Sequence, residues 1–452
     1  MKKTILSLGV VATFVLLVVF STSSGCSSGQ PVSDTVKTDS SHAAAINSDW
    51  ADYPLDMDSL SQLDADTFSW LSFIAACWPA DVNACGPDKS KSILSGKGPL
   101  VWETYLSSDQ VFPAKGGQPA AWCGNVQNLN AVQNVPSKVL ELGQKTGVNR
   151  FIHLTAKSDN PHALDQASGG PLVDQNGRFA RYEKRVNQTE YNYIVNDTLW
   201  SISGQQAYVK NNQFFFPNGS MEFKAAWKIM GAGDDSSRFY TIRAIVYNDE
   251  SGELSPGPNP VTLGLVGLHI AHKTPGQQNW AWSTFEHVDN LTKSFFNPSC
   301  DTCTPNMRIP VKKGQAVQEL DPKTGLPLHP PTQVVRLNKT EDPYIDSINS
   351  YYQGLLAGSV WANYELISTQ WFEFEAVFPS YLANSVQETY LQGPSPASYG
   401  SYKLFAGELY FKDSRYRPFQ QDSSSSSCMG CHYIAKTQGQ RSDFSFLLGE
   451  AK

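Results

Sequence analysis

Hydrophobic and polar positions alternate with a period of two along several segments in the middle of this chain. In MEFKAAWKI, Met221, Phe223, Ala225, Trp227 and Ile229 fall on one side, and Glu222, Lys224 and Lys228 on the other, which predicts a half-buried strand. After the turn residues GAGDDSS, RFYTIRAIVY places Tyr240, Ile242, Ala244 and Val246 on one face and predicts a hairpin partner for it. VTLGLVGLHIAH and WAWSTFEHV, joined by KTPGQQN, add two strands, and the four segments together predict an antiparallel meander. SVWANYELISTQWFEFEAV reads as a further strand, and the Asn-Gly of ASGGPLVDQNGRF as a tight turn. Helical spacing appears at Phe68, Leu71, Ile74 and Ala75 before Pro79, and again in EYNYIVNDTLWS and PYIDSINSYYQGLLAG, with VWETYL as a shorter helix. No segment repeats at a fixed period, which argues against a propeller or solenoid. The predicted class is α+β, with an antiparallel sheet and flanking helices.

The N-terminus changes this picture by adding an address. Lys2 and Lys3 precede an uncharged, mostly apolar run from Thr4 to Phe20 and then small residues up to Cys26, so residues 1–25 read as an export signal. The apolar run is intermediate in length between a cleaved signal and a membrane span, and both outcomes stay open. Ser23 to Cys26, SSGC, resembles a bacterial lipoprotein cleavage box, which implies a lipid on Cys26; that family usually carries leucine where Ser23 stands. Ser-rich residues 26–49 read as a flexible tether, 50–420 as the folded α+β body, and 421–452 as an attachment segment packed on that body. The expected location is the periplasm or cell envelope, with the membrane reached through a lipid or the signal anchor.

Composition sets further bounds. The chain has 452 residues, 40% apolar and 12% aromatic, enough for a substantial core. Its net charge of −7 leaves no basic footprint, which argues against nucleic acid as a partner.

The segment SSSSSCMGCHYIAK carries the chemistry. Cys428, Cys431 and His432 form C-x-x-C-H, the attachment pattern of a c-type haem. Two thiols three positions apart reach both porphyrin vinyl groups as thioethers, and the adjacent imidazole lies under the ring as proximal iron ligand. With eight Cys and eight His in the chain, the pattern arises by chance roughly 0.0025 times. A zinc ribbon needs a second pair at suitable spacing, and the other pair, Cys300 and Cys303, is far away. A thioredoxin-like dithiol follows a strand, whereas serines precede Cys428. The chain thus resembles the c-type cytochromes, with Cys428 and Cys431 as covalent anchors and His432 on the iron. More loosely, VWETYL, GGPLVDQNGRFARYE, MEFKAAWKI, GLVGLHIAHKT, WAWSTFEHVDN and CMGCH resemble a group of large, exported, single-haem bacterial proteins of unassigned function. That resemblance implies one covalent haem c and electron transfer with a redox partner protein or a small-molecule donor or acceptor. The alternative is a haem-dependent peroxidase or oxygenase with an open distal site.

Only 20 residues follow His432, and they contain neither Met nor His. Met429 lies inside the attachment loop, so a sixth His or Met ligand has to come from upstream: His42, His153, His162, His269, His272, His287, His329, Met57, Met221, Met230 or Met307. Three positions apart on a strand, His269 and His272 point to opposite faces. His272 shares a face with Val266, Leu268 and Ile270, and His269 with Val261, Leu263 and Leu265; one of the two is the expected distal ligand. Phe444, Phe446, Leu447 and Leu448 either cover a haem face or pack on the body.

Other constellations are weaker. Thr304 follows Cys303, so a second attached haem lacks its axial ligand, and a disulfide is expected within the pair or with Cys77, Cys85 or Cys123. A metal at His269, His272, Glu286 and His287 requires those strands to converge. Asp174 and Asn176 fit a turn better than a calcium loop. No G-x-S-x-G elbow, Walker loop or G-x-G-x-x-G fingerprint is present.

Overall fold

Alternation in the sequence becomes one eight-stranded sheet. A computed structural model of the chain describes residues 46–57, 61–113, 117–123, 135–153, 171–247, 252–254, 259–300, 319–321, 323–335, 344–371, 384–389, 428, 432 and 435–452. The segments predicted as export signal and, for the most part, as tether lie outside the described residues, as does Cys431. In chain order the elements are α1 (Gln62–Ala76), β1 (Ala80–Asp81), β2 (Gly86–Pro87), β3 (Leu106–Ser107), α2 (Ser108–Val111), α3 (Ser137–Thr146), β4 (Phe151–His153), β5 (Arg181–Val186) and α4 (Gln188–Asn196). They continue with α5 (Ile202–Tyr208), β6 (Met221–Ile229), β7 (Thr241–Tyr247), β8 (Val261–His272), β9 (Ala281–His287), α6 (Ile345–Leu355), β10 (Tyr364–Gln370), β11 (Lys436–Thr437) and β12 (Gln440–Arg441). The protein is α+β.

The main sheet runs β10-β9-β8-β6-β5-β3, antiparallel throughout, and β7 adds to β8 and pairs in parallel with β4. The expected β6–β7 hairpin is not formed, and the four segments are not a simple meander. β6 takes one edge of the long β8, while the other edge is divided: β9 pairs with Gly267–His272 and β7 with Val261–Gly264. Alternation identifies a strand but carries no information about which edge it will meet.

A bulge in β8 corrects the face assignment. The register with β6 steps from Ala226↔Gly267 to Trp227↔Leu265, so Val266 has no opposite number there. Val261, Leu263 and Leu265 consequently join Leu268 and Ile270 in one core, and Val266 packs on the opposite side with Tyr182 and Ala226.

That core lies beneath α1 and α6. Ser61 caps α1 by accepting from the Asp64 amide at 3.2 Å. The helix is buried on most of its surface: Trp70 and Phe73 pack on Phe285, while Ser69 Oγ lies 2.6 Å from both Ser283 Oγ and Thr369 Oγ1. Its buried face is therefore wider than the predicted stripe, and Leu71 is only half-buried. Asn349 of α6 accepts from Trp70 Nε1 and the Leu366 amide, and donates to the Leu366 carbonyl, occupying backbone groups at the edge of β10. VWETYL supplies a single 3-10 turn, Trp102–Thr104, in place of a helix, and the predicted strand around YELISTQ is confined to β10 among the described residues.

Cys85 and Cys123 form a disulfide with Cα atoms 5.7 Å apart, and Cys300 is disulfide-bonded as well. Cys77 is a buried free thiol, which removes it from the expected pairings. Among the described residues, no helix is long and apolar enough to cross a membrane.

The Asn-Gly turn forms as predicted, with Gly177 at φ 70°. Asp174 Oδ1 accepts from the amides of Asn176 and Arg178 at 2.9 Å each, while its buried Oδ2 has no hydrogen-bond partner. Burial raises this carboxyl to about 7, against the pull of the Lys228 charge. Between the unfolded value near 3.8 and about 7 the folded state holds the extra proton, so this group's stabilising effect is lost as pH rises through that window. Asp174→Asn is expected to raise the unfolding free energy measured in urea at pH 8, on the order of 1–3 kcal/mol, and to leave it unchanged near pH 3. Equal midpoints at pH 8 would show that the carboxyl ionises without cost.

Candidate functional site

The second face of the sheet is more polar, and its rows follow from strand register. Lys184 on β5 lies opposite Lys224 on β6, Lys224 opposite His269 on β8, and His269 opposite Thr284 on β9. The adjacent row runs Val186, Glu222, Ala271 and Trp282. An apolar cluster covers one end of this face. It unites Tyr191 and Ile194 of α4 with Ala271, Trp282 and Ile367 of the sheet, with Trp280 just before β9, and with Phe444, Leu447 and Leu448 of the C-terminal segment. The half-buried Cys428 side chain packs against this cluster.

His432 sits in the same place. Its ring centroid is 4.4 Å from that of Trp282 and 5.1 Å from that of Phe446. Its Nδ1 is 2.7 Å from the Phe444 carbonyl. A carbonyl can only accept, so Nδ1 carries the hydrogen and the neutral ring keeps its lone pair on Nε2. Burial holds the imidazole down to about 4, opposed by the Phe444 hydrogen bond and assisted by the charges of His269 and Lys224. At neutral pH His432 is therefore a neutral, oriented donor, the form a metal requires.

The carbonyl that orients it comes from a strained turn. Asp443 and Phe444 are both left-handed, at φ 53° and 69°, and Trp280 opposite them is at 65°. These conformations are held by buried polar contacts: Asp443 Oδ2 accepts from the Phe216 amide at 2.7 Å and pairs with Lys273 Nζ at 2.5 Å, while the Asp443 carbonyl accepts from Trp280 Nε1 at 3.0 Å. Of the two roles weighed for the tail residues, the structure describes packing on the body, by Phe444, Leu447 and Leu448, while Phe446 touches the imidazole.

The two favoured histidines part company. His272 stacks on Phe68 at 5.3 Å, meets Tyr53 edge-on at 6.3 Å and is lowered to about 4 by burial, all on the α1 side of the sheet. His269 shares the face of His432. Its Nδ1 is hydrogen-bonded to Thr284 Oγ1 at 2.7 Å, and its Nε2 lies 2.8 Å from Glu388 Oε1 without hydrogen-bond geometry. The other candidates lie elsewhere: Met57 and Met221 are in cores, His329 faces Phe179, and His42, His162 and Met307 are outside the described residues.

The four-residue metal set does not converge. Glu286 accepts from the Ser385 amide and hydroxyl, and His287 stacks on Phe239 while bonding to Arg238 and Asp289 backbone. Among the described residues, no group of three His, Cys, Asp or Glu could hold a metal ion. Of the C-x-x-C-H motif the structure places Cys428 and His432; Cys431 lies outside the described residues. An oriented imidazole with a cysteine beside an apolar wall is a donor set that a covalently held haem would fit.

Trp282, Lys273, Asp443 and the Phe444 carbonyl were not foreseen as parts of the site. The only sequence signal for any of them is the outward phase of Trp282 in its alternating strand. Comparison with family models, with curated proteins and with solved structures yields no match.

Proposed function

We propose that this chain is a mono-haem c-type cytochrome that transfers single electrons outside the cytoplasm. Cys428 and Cys431 hold the haem through thioethers, and His432 gives Nε2 to its iron. When bound, the group supplies one-electron Fe(III)/Fe(II) chemistry. The observation that carries the reading is the His432 imidazole, held neutral with Nδ1 bonded to the Phe444 carbonyl and Nε2 left as donor. Trp282 and Phe446 flank the ring, and the apolar cluster beside Cys428 offers a wall for a porphyrin. A disulfide between Cys85 and Cys123 accords with an oxidising compartment, as does the N-terminal export pattern, so the setting is the periplasm or cell envelope. A lipid on Cys26 or a retained signal gives the membrane tether, and the electron passes to a redox partner protein or small molecule.

One observation favours a haem-dependent peroxidase or oxygenase as the second reading. His269, the candidate on the face of His432, has Thr284 Oγ1 and Glu388 Oε1 beside its nitrogens, and an iron that His269 does not ligate keeps its sixth position for a small oxidant unless another side chain takes it. Two measurements decide. Protein from a host competent in cytochrome maturation should carry a tetrapyrrole adduct on its C-terminal peptide by mass spectrometry; an unmodified peptide ends the proposal. The reduced holoprotein should then refuse carbon monoxide if it is a six-coordinate carrier, whereas rapid binding moves the assignment to the enzyme.

A further inference from the structure

Aromatic rings lead away from His432 in a continuous file. The Trp282 ring centroid is 4.4 Å from that of His432, and Trp280 follows at 6.3 Å from Trp282. Phe216 stands 5.6 Å beyond Trp280, and Tyr193 of α4 stands 5.0 Å beyond Phe216. The file ends on Tyr208 of α5, 6.3 Å from Tyr193 and only half-buried. At these spacings neighbouring rings are in direct contact. Tryptophan and tyrosine yield a single electron more readily than most side chains, and phenylalanine serves as a short bridge between them.

Packing alone explains the apolar rings but not the phenols at the far end. Tyr193 Oη lies 3.1 Å from Tyr208 Oη and also accepts from the Phe215 amide at 3.1 Å. Whichever hydroxyl donates, one hydrogen lies between two phenol oxygens, so a phenol there can lose an electron while its proton moves along an existing hydrogen bond. Burial first, and the Tyr208 hydroxyl second, raise the Tyr193 phenol above its ordinary value, which ties loss of the proton to loss of the electron. The indoles are held differently. Trp280 Nε1 donates to the Asp443 carbonyl and Trp282 Nε1 to the Asn279 carbonyl, both at 3.0 Å, so each keeps its hydrogen and passes an electron only. The Lys273 ammonium, 5.9 Å from the Trp280 ring, would oppose a positive charge on that indole, and its pairing with Asp443 offsets this.

We propose that Trp282, Trp280, Tyr193 and Tyr208 form a relay that carries oxidising equivalents from the haem to the α5 surface, where phenols are the reductants. This rests on the haem reading above, in its peroxidase form, and adds the route and the class of substrate. Hydrogen peroxide is the oxidant: it takes up two electrons and two protons and leaves as two waters. Each electron drawn through the indoles is finally lost by Tyr208, whose phenolic proton goes to solvent, and the phenoxyl radical left there takes a hydrogen atom from a donor phenol. Two donor phenols become two phenoxyl radicals for each peroxide consumed. Phenols fit because a phenoxyl radical takes hydrogen from an O–H bond no stronger than its own, and electron-releasing ring substituents weaken that bond.

The test uses holoprotein whose adduct is verified by mass, so that a chain without tetrapyrrole ends the haem reading and a loaded chain tests the relay alone. Hydrogen peroxide is added with a nitroso spin trap, and the peptides are searched for trap adducts by mass spectrometry. Wild-type protein, which needs no variant to fold, should carry the adduct on Tyr208. Tyr193→Phe, which keeps the ring but not the hydroxyl, should lose it. Guaiacol added before the peroxide should suppress it and be oxidised in its place. Tyr351 of α6 controls for accessibility, because it is 59% exposed and outside the file. Adduct on Tyr351 in place of Tyr208, adduct on Tyr208 that survives Tyr193→Phe or guaiacol, or loaded protein that leaves peroxide unconsumed overturns the proposal.

Discussion

Lys273→Met is expected to destabilise the protein by about 3–5 kcal/mol, the range for breaking a buried ion pair by removing one partner. Lys273 and Asp443 are fully buried and 2.5 Å apart. Without the ammonium, the Asp443 carboxylate keeps the Phe216 amide but loses its counter-charge in a setting with no water to replace it. Lys273 also lies 3.7 Å above the Phe215 ring, a contact that methionine retains in part, so the loss is chiefly electrostatic. Urea denaturation followed by tryptophan fluorescence gives the magnitude. The double variant Lys273→Met with Asp443→Leu should recover much of the loss, because two apolar groups need no mutual charge. A single variant with a wild-type midpoint would show that Asp443 is solvated, contrary to the structure. The same lesion should reach the site. Asp443 sets the left-handed turn whose next carbonyl orients His432, so holoprotein carrying Lys273→Met should show a broadened or shifted haem spectrum even where it remains folded.

Replacing both Cys428 and Cys431 with alanine is expected to abolish covalent haem altogether. The readout is haem stain on a denaturing gel, which separates thioether-linked from dissociable haem. Wild-type protein should stain after boiling in detergent, and the double variant should not stain at all. Retained stain would place the covalent linkage elsewhere and remove the role assigned to this motif. Cys428 packs at the edge of an apolar cluster that is complete without it, so the apoprotein is expected to fold, and loss of stain should come without loss of secondary structure.

How far the sequence could be read depended on the kind of information needed. Alternation located β6, β8 and β9 because one face of each is buried against a helix layer, and burial is what the period records. The partners of those strands were not legible, since β7 and β9 compete for one edge of β8 and no local feature of either decides the matter. Faces failed at one residue: Val266 bulges, and a single extra residue reverses the phase of everything before it. The stripe on α1 misled for another reason. The helix is buried against the sheet and against α6, so apolarity is spread around it and phase loses meaning. At the site, C-x-x-C-H was legible because two thiols and an imidazole at fixed spacing have few other uses. The groups that orient His432 were not. A phenylalanine in the left-handed region has no sequence signature, and the lysine row exists only after distant strands are placed in register.

The turn that orients His432 has a further consequence for how the molecule can be dissected. Its restraints come from Phe216 and Lys273, which stand 227 and 170 positions away from Asp443 along the chain. Such distant closures are entropically costly and complete only when the intervening chain has collapsed. The last thirty residues are thus no transplantable module: grafted onto another carrier, they would bring the thiols and the imidazole but leave behind the geometry that aims the ring.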